Sequence, residues 1–141
     1  MRLKFISKAK WSKEDKNAAK AATRWACKEL DLVGLPIDIV VRFVGPSEYY
    51  GGCSQVDETR YIVWLHAGVK PFRVLATIFH ELTHVHQHVY QEFELITETT
   101  GRFRGIEYTN TNYWNAPWEV EARRQERKLL RKYRRCFRKL K

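Results

Sequence analysis

The sequence predicts an α+β fold, and three patterns support that prediction. Residues 13–32 and 71–91 repeat their apolar side chains at helical spacing, and a third helical stretch begins at Pro117. Between the first two stretches, apolar and polar residues alternate as they do in half-buried strands. The chain has 141 residues, of which 44% are hydrophobic, so we predict a single domain over residues 1–141.

The first predicted elements are a short strand near residues 3–6 and the helix at 13–32. Ser12 and Asp15 resemble a capping box at the start of that helix, and Gly34-Leu35-Pro36 ends its pattern. A strand follows at 37–43, where apolar positions alternate with Asp38 and Arg42. Segments 51–56 and 60–66, separated by turn-forming residues, predict a β-hairpin.

The second helix begins at Pro71, a residue that suits a first helical turn. One stripe of this helix is apolar and is predicted to face the sheet: Val74, Leu75, Ile78, Leu82, Val85 and Val89. Residues 97–115 show no sustained period, so we predict a long ordered loop there. The last helix then runs from Pro117 nearly to the C-terminus.

The motif HExxH lies inside the second predicted helix, as His80-Glu81-Leu82-Thr83-His84. At about 100° per residue, His80 and His84 point in nearly the same direction, so both imidazoles can bind one ion. Neutral imidazole suits Zn²⁺, and Glu81 can act as the general base towards a water molecule. His88 continues the same face but lies too far along the helix to join the same ion, and we interpret His86 and His88 as outer-shell or surface residues.

A catalytic zinc site needs a third protein ligand, and no histidine follows His88. The candidates are Glu119 and Glu121, which lie in the first turns of the last predicted helix. The small Ala122 allows this helix to approach the HExxH helix closely, and we favour Glu121 as the ligand. An acidic residue near a helix N-terminus is otherwise explained by the helix dipole, and that explanation suffices for one of the two glutamates.

These motifs resemble those of the gluzincin branch of the zincin metallopeptidases, in which a "glutamate helix" supplies the third ligand. HELTH with Gln87, the segment 105–108 and the segment 113–122 are similar to small, often phage-encoded SprT-like or ImmA/IrrE-like zincins and minimal gluzincins. The resemblance covers residues 60–122. SprT proteins use a third histidine that this chain lacks, so the similarity to them is one of overall plan.

The resemblance implies a minimal zincin fold: N-terminal helix, small twisted mixed sheet, active-site helix and glutamate helix. It also implies a zinc metalloendopeptidase in which Glu81 moves a proton from water to the leaving amine. An extended peptide substrate would pair with the hairpin strand at 61–66, taken as a sheet edge. Tyr108 and Tyr113 are candidates for holding the oxyanion, with structural packing as the alternative for each.

The C-terminal segment 123–141 is strongly basic, whereas the rest of the chain is neutral. Residues 1–122 hold 15 basic and 15 acidic side chains, and 123–141 hold 11 basic side chains and one acidic. Apolar residues at near-helical spacing predict an amphipathic helix docked on the body. Nucleic-acid phosphate is the favoured partner, with acidic proteins or anionic membranes as alternatives. The candidate contacts are Arg124, Arg127, Lys128, Arg131, Arg134, Arg135 and Arg138.

Other sequence features limit the compartment and leave two alternatives open. Three widely spaced cysteines suggest no disulfide framework, and no apolar run approaches the roughly 20 residues of a transmembrane helix. The N-terminus lacks a signal-peptide pattern, so we expect an intracellular, soluble protein.

The alternatives to an active peptidase are a non-catalytic, DNA-binding or regulatory protein on the same scaffold, and a peptidase kept latent by its tail or loop.

Overall fold

The computed structural model of the protein describes residues 1–90, 92–109 and 112–137. Within these ranges the chain forms three helices and seven strands, which confirms the α+β class. The helices are α1 (Lys13–Glu29), α2 (Pro71–Val89) and α3 (Pro117–Phe137). The strands are β1 (Arg2–Ser7), β2 (Asp38–Val44), β3 (Gly51–Gln55), β4 (Arg60–His66), β5 (Phe93–Leu95), β6 (Gly101–Phe103) and β7 (Ile106–Tyr108). No helix in the described ranges is long and apolar enough to cross a membrane.

The helix boundaries follow local signals in the sequence. Ser12 Oγ accepts a hydrogen bond of 3.0 Å from the backbone N–H of Asp15, which confirms the predicted cap of α1. Pro71 and Pro117 are the first residues of α2 and α3, where a missing backbone N–H costs nothing. Residues 123–137 of the predicted basic segment belong to α3, whereas Arg138 and the three residues after it lie outside the described ranges.

The larger sheet has four strands in the order β1-β2-β4-β3. β1, β2 and β4 are mutually parallel, and β3 pairs antiparallel with β4 as the predicted hairpin. The prediction that 61–66 forms a sheet edge is therefore wrong, because β4 is hydrogen-bonded to β2 on one side and β3 on the other. Tyr61, Val63 and Leu65 are fully buried, as suits an interior strand. The edge strand on this side of the sheet is β3, the first strand of the hairpin.

The main core lies between one face of this sheet and the helices α1 and α2. Alternate residues of β2 and β4 pack against Ala22, Ala26, Phe79 and Leu82 of the two helices. α3 closes the same core from the side of α2, where Tyr133 lies edge-on to Trp25 and Phe79 at ring-centroid distances of 5.0 and 5.6 Å. The apolar stripe of the basic segment thus docks on the body, as predicted.

The segment predicted as one long loop contains a second, smaller sheet. β5, β6 and β7 form an antiparallel meander, and β6 and β7 fall within residues 97–115. Three-residue strands are too short to give a readable period in a sequence. This sheet forms a satellite cluster with Trp118 at the start of α3, whose ring stacks on Phe93 at 4.6 Å. The cluster fixes the first turn of α3.

Candidate metal centre

α2 and α3 bring two imidazoles and one carboxylate together in the interior of the protein. His80 Nε2 lies 3.0 Å from Glu119 Oε1, and His84 Nε2 lies 2.9 Å from Glu119 Oε2. One ligand atom from each residue lies within 4.8 Å of the other two. All three side chains are buried. The spacing of the two histidines on one helix therefore does produce the shared site that the motif predicts.

The remaining nitrogen of each imidazole is held by a second residue. His80 Nδ1 donates a hydrogen bond of 3.1 Å to Glu126 Oε1, and His84 Nδ1 donates one of 2.8 Å to Gln87 Oε1. The amide nitrogen of Gln87 donates to the backbone carbonyl of Trp118, so its oxygen is left to accept. These bonds direct the Nε2 atom of each imidazole at the place where Glu119 lies, as in the outer shell of protein metal sites.

Glu121 is not the third member of this group, and our choice of Glu121 over Glu119 is wrong. Its carboxylate accepts a hydrogen bond of 3.0 Å from Gln87 and pairs with Arg104. The two glutamates are separated by about 200° around the helix axis, so only one can reach the two imidazoles. The fully buried Ala122 marks the inward face of α3, and Glu119 lies nearer to it in angle than Glu121 does.

The carboxylates around His80 favour its protonated, positively charged form. Burial alone would lower the pKa of His80, but hydrogen bonds to Glu119 and Glu126 raise it to about 10. Burial likewise opposes ionisation of Glu119, yet hydrogen bonds from the two imidazoles lower its pKa to about 2. A carboxylate that stays ionised inside a protein needs a cationic partner.

The donor set fits Zn²⁺. Two imidazole nitrogens and one carboxylate oxygen are the protein ligands of many catalytic zinc sites, where a fourth position stays open. The bond to Gln87 places a proton on Nδ1 of His84, so its Nε2 contacts Glu119 either through a second proton or through a bound cation. A divalent cation among the three groups would replace the imidazole protons that Glu119 otherwise accepts. His80, His84 and Glu119 are thus suited to hold the metal.

Glu81 lies beside the group without joining it. Its side chain is buried, and it forms no hydrogen bond or ion pair with any residue in the described part of the chain. Burial raises the pKa of Glu81, although the charges of His84 and His80 oppose that effect. A carboxylate with a raised pKa and free lone pairs is suited to accept and return a proton.

Of the two candidate tyrosines, the structure brings Tyr113 to the site and places Tyr108 elsewhere. The ring of Tyr113 is largely exposed, but desolvation of its hydroxyl, the negative charges of Glu119 and Glu81 and a hydrogen bond to Glu119 raise its pKa, so the hydroxyl stays protonated. The ring of Tyr108 packs edge-on against Trp118 in the satellite cluster at 6.4 Å. Tyr108 therefore has the packing role that was the alternative interpretation.

Two cavities flank the group, and the edge strand β3 borders both. The Glu81-side cavity, of about 480 Å³, is bounded by Gly51, His80 and Glu81. The His84-side cavity, of about 500 Å³, is bounded by residues 53–55, His84 and Glu119. Tyr113 borders both cavities. β3 therefore runs past the candidate metal centre from one cavity to the other.

β3 can approach α2 closely because it begins with Gly51. A Cβ at Gly51 would stand 2.7 Å from Cγ2 of Thr77 on α2, a separation that real side chains do not tolerate. Cys53, two residues along β3, lines the His84-side cavity. Burial and the charges of Glu81 and Glu119 raise the pKa of Cys53, so its thiol stays neutral beside the site. Neutral thiols are poor metal ligands, and the candidate metal group does not include Cys53.

The other two histidines of α2 do not belong to the metal group. The ring of His88 packs between Tyr61 and Phe93, and burial lowers its pKa to about 4. His86 lies against the ring of Tyr90 at 4.7 Å. Both have packing roles, in agreement with the expectation that neither would bind the ion.

The outer side of α3 carries six basic residues without ion-pair partners in the described part of the chain, and these residues form the basic face. At about 100° per residue, the six side chains fall within an arc of about 120° around the helix axis. All are exposed, and none forms an ion pair with a described residue. Glu126, the one acidic residue after 122, turns away from this face towards His80. The basic face consists of Arg124, Arg127, Lys128, Arg131, Arg134 and Arg135.

Comparison with known proteins adds no relative to this description. No protein-family model, no curated protein and no solved structure matches the chain. The candidate metal centre formed by His80, His84 and Glu119 therefore rests on the geometry of this chain alone.

Proposed function

We propose that this protein is a zinc-dependent endopeptidase of the gluzincin type, with His80, His84 and Glu119 as the metal ligands. The single observation that carries the proposal is the convergence of these three side chains, with ligand atoms within 4.8 Å of one another. The outer hydrogen bonds from Nδ1 of each imidazole support it, because they orient both rings for an ion. The resemblance of the HELTH motif to zincin active sites points to the same chemistry.

Glu81 is the general base and acid in this proposal. Bound Zn²⁺ would supply a Lewis acid that polarises the scissile carbonyl and favours ionisation of water. Glu81 then accepts the proton of the attacking water and passes it to the leaving amine, which balances the hydrolysis. Its burial and its lack of hydrogen-bond partners keep the carboxylate available for that transfer.

Tyr113 and β3 position the substrate. The protonated hydroxyl of Tyr113, close to Glu81 and Glu119, is a hydrogen-bond donor for the negative charge that develops on the carbonyl oxygen. An extended peptide adds to β3 as a further strand, in place of the interior strand that we first expected to bind it. Its two ends then occupy the cavities on either side of the metal centre.

The decisive comparison is between the wild-type protein and Glu81→Gln. We expect both proteins to bind about one zinc per chain, and we expect the substitution to lower kcat for peptide cleavage by at least about 10³-fold. Metal analysis, circular dichroism and a quenched-fluorescence peptide library measure zinc content, folding and cleavage. Cleavage that survives in Glu81→Gln would remove Glu81 from the mechanism, and wild type without zinc would remove the proposal.

A second candidate function rests on the basic face, and it is a polyanion-binding module, with nucleic-acid phosphate as the favoured ligand. Six exposed cations without ion pairs are more than solubility requires, and the apolar side of α3 is already packed on the core. A helix without a free apolar side is poorly suited to insert into a membrane surface. Salt-dependent binding to DNA or RNA, without cleavage of any peptide in the library, would favour this function over the peptidase.

A further inference from the structure

The Glu81-side cavity contains three arginines, and two helices supply them. Arg73 comes from α2, and Arg123 and Arg127 come from α3. The His84-side cavity has no lysine or arginine among its described lining residues, and it contains Glu94 and Glu98. The two cavities therefore differ in charge although they flank the same metal centre.

Two of these guanidinium groups are held in place by aromatic rings. Arg123 lies 3.8 Å from the centroid of the Trp114 ring, and its Nη2 donates a hydrogen bond of 2.5 Å to the Trp114 carbonyl. Arg73 lies 5.0 Å from the centroid of the Tyr50 ring. A guanidinium fixed by stacking loses little entropy when it binds a ligand, and its planar fork matches a carboxylate.

Two of the three arginines in this cavity have no ion-pair partner among the described residues. Glu126 already accepts a hydrogen bond from His80, and its other oxygen lies 4.0 Å from Arg73. Arg127 has no ion-pair partner among the described residues, and the buried Nη1 of Arg123 has no hydrogen-bond acceptor there. Glu48, exposed at the rim, and Glu81 also line the cavity, but neither forms an ion pair with Arg123 or Arg127. An anionic group in the cavity would give these two arginines an ion-pair partner.

The position of Glu81 indicates which part of a substrate enters this cavity. In the proposed function Glu81 protonates the leaving amine, so the residues that follow the scissile bond lie on its side. A peptide that adds to β3 in the antiparallel sense runs from the His84-side cavity to the Glu81-side cavity, which places the same residues there. We propose, resting on that function, that Arg123 and Arg127 bind a carboxylate within the first two residues after the scissile bond.

The carboxylate has two possible sources, a Glu or Asp side chain and the free C-terminus of the substrate. Amidated peptides test the side chain. They share a constant segment before the scissile bond and carry either Glu or Gln at the first or second position after it. Neutral peptides with free or amidated C-termini test the chain end. We expect one source to raise kcat/KM at least about tenfold over its uncharged partner. Equal kcat/KM in both comparisons would overturn the proposal.

Arg127→Glu tests the arginines directly, because Arg127 is exposed and its substitution leaves the core untouched. The variant is expected to lose the preference for the carboxylate and to favour Lys over Gln at the same position. Lys13→Glu is the matched control, since Lys13 is exposed at the start of α1 and does not line this cavity. A preference that is unchanged in Arg127→Glu, or lost equally in Lys13→Glu, would contradict the assignment.

A binding measurement separates this proposal from the peptidase itself. Wild-type protein, Glu81→Gln and Arg127→Glu are titrated with the dipeptide amides Leu-Glu and Leu-Gln, and the indole signal of Trp114 is followed by NMR. Tighter binding of Leu-Glu by wild type and Glu81→Gln, but not by Arg127→Glu, supports the carboxylate site even if no peptide is cleaved. Cleavage with neither selective binding nor selective hydrolysis would retain the peptidase and reject the carboxylate site.

Discussion

The two sides of α3 carry opposite charges and have different surroundings. The inward face, consisting of Glu119, Ala122, Glu126, Leu129 and Tyr133, turns towards α2 and the core, and both of its charged residues are acidic. Each acid contacts an imidazole of α2. The basic face on the other side holds only cations, and none is paired with a described residue.

This difference shows how one charged helix can serve two purposes. Buried charges persist only with partners, so the acids of the inward face are accounted for by the histidines and the ion that they would hold. Exposed charges need no partner, so the fold does not explain the concentration of cations on the basic face. We therefore expect substitutions on the inward face to change metal binding or stability, and those on the basic face to change the binding of anionic partners.

The largest expected effect is that of Glu119→Gln on zinc affinity. The substitution replaces an anionic ligand with a neutral amide, so we expect the affinity to fall at least about 100-fold, which corresponds to about 2.7 kcal/mol. Competition with a chromogenic chelator measures it. Glu121→Gln is the matched control, two residues away on the same helix, and it should change the affinity by less than about threefold. A larger loss in Glu121→Gln than in Glu119→Gln would restore our first choice of ligand.

Tyr133→Ala tests whether the inward face holds α3 on the core. Tyr133 contacts the rings of Trp25 and Phe79 and is partly buried, so we expect the free energy of unfolding to fall by about 2 kcal/mol. Urea denaturation followed by circular dichroism measures the change. Arg134→Ala, its neighbour on the basic face, should stay within about 0.5 kcal/mol of wild type. Equal effects of the two substitutions would contradict the difference between the faces.

Glu126→Ala tests the outer hydrogen bond to His80. Without the acceptor of Nδ1, the imidazole is less well oriented, and we expect zinc affinity to fall about tenfold. Glu126→Gln keeps an oxygen at the same place and should recover most of that loss. The same chelator competition measures both variants. If Gln rescues nothing, the charge of Glu126, and not its hydrogen bond, is what the site uses.

Arg131→Ala gives the smallest expected effect, and it tests whether the basic face binds anionic partners. We expect an affinity for duplex DNA about threefold lower, and a slope of log affinity against log salt that is reduced by about one. Fluorescence anisotropy at several salt concentrations measures both quantities, and zinc content should not change. DNA binding that is independent of salt, or zinc loss in this variant, would contradict an electrostatic role for the basic face.

The helices and the hairpin could be predicted from the sequence because their signals are local. Apolar spacing, Ser12 and the two helix-starting prolines fix α1, α2 and α3 to within a few residues, although α1 ends at Glu29, three residues early. Strand order is different, because apolar alternation is the same in β4 whether one or both of its edges are paired. The pattern therefore does not show that β3 returns outside β4, and the prediction that β4 is an edge strand is wrong for that reason.

The candidate site was predictable to the extent that it depends on one helix. His80, Glu81 and His84 follow from a motif whose geometry any regular helix reproduces. The choice between Glu119 and Glu121 depends on the rotation of α3, which its own buried positions, Ala122 and Leu129, already indicated. Glu126 and Gln87, which orient the imidazoles, could not be predicted, because their roles appear only when α2 and α3 are packed together.

The most direct test of the metal centre is anomalous diffraction at the zinc absorption edge from crystals of the zinc-loaded protein. We predict one strong peak at about 2.0–2.2 Å from Nε2 of His80, Nε2 of His84 and a carboxylate oxygen of Glu119. The same peak should be absent from crystals of Glu119→Gln prepared with equal zinc. A zinc peak bound by other residues, or none in the wild-type protein, would contradict the assignment of these three side chains as metal ligands.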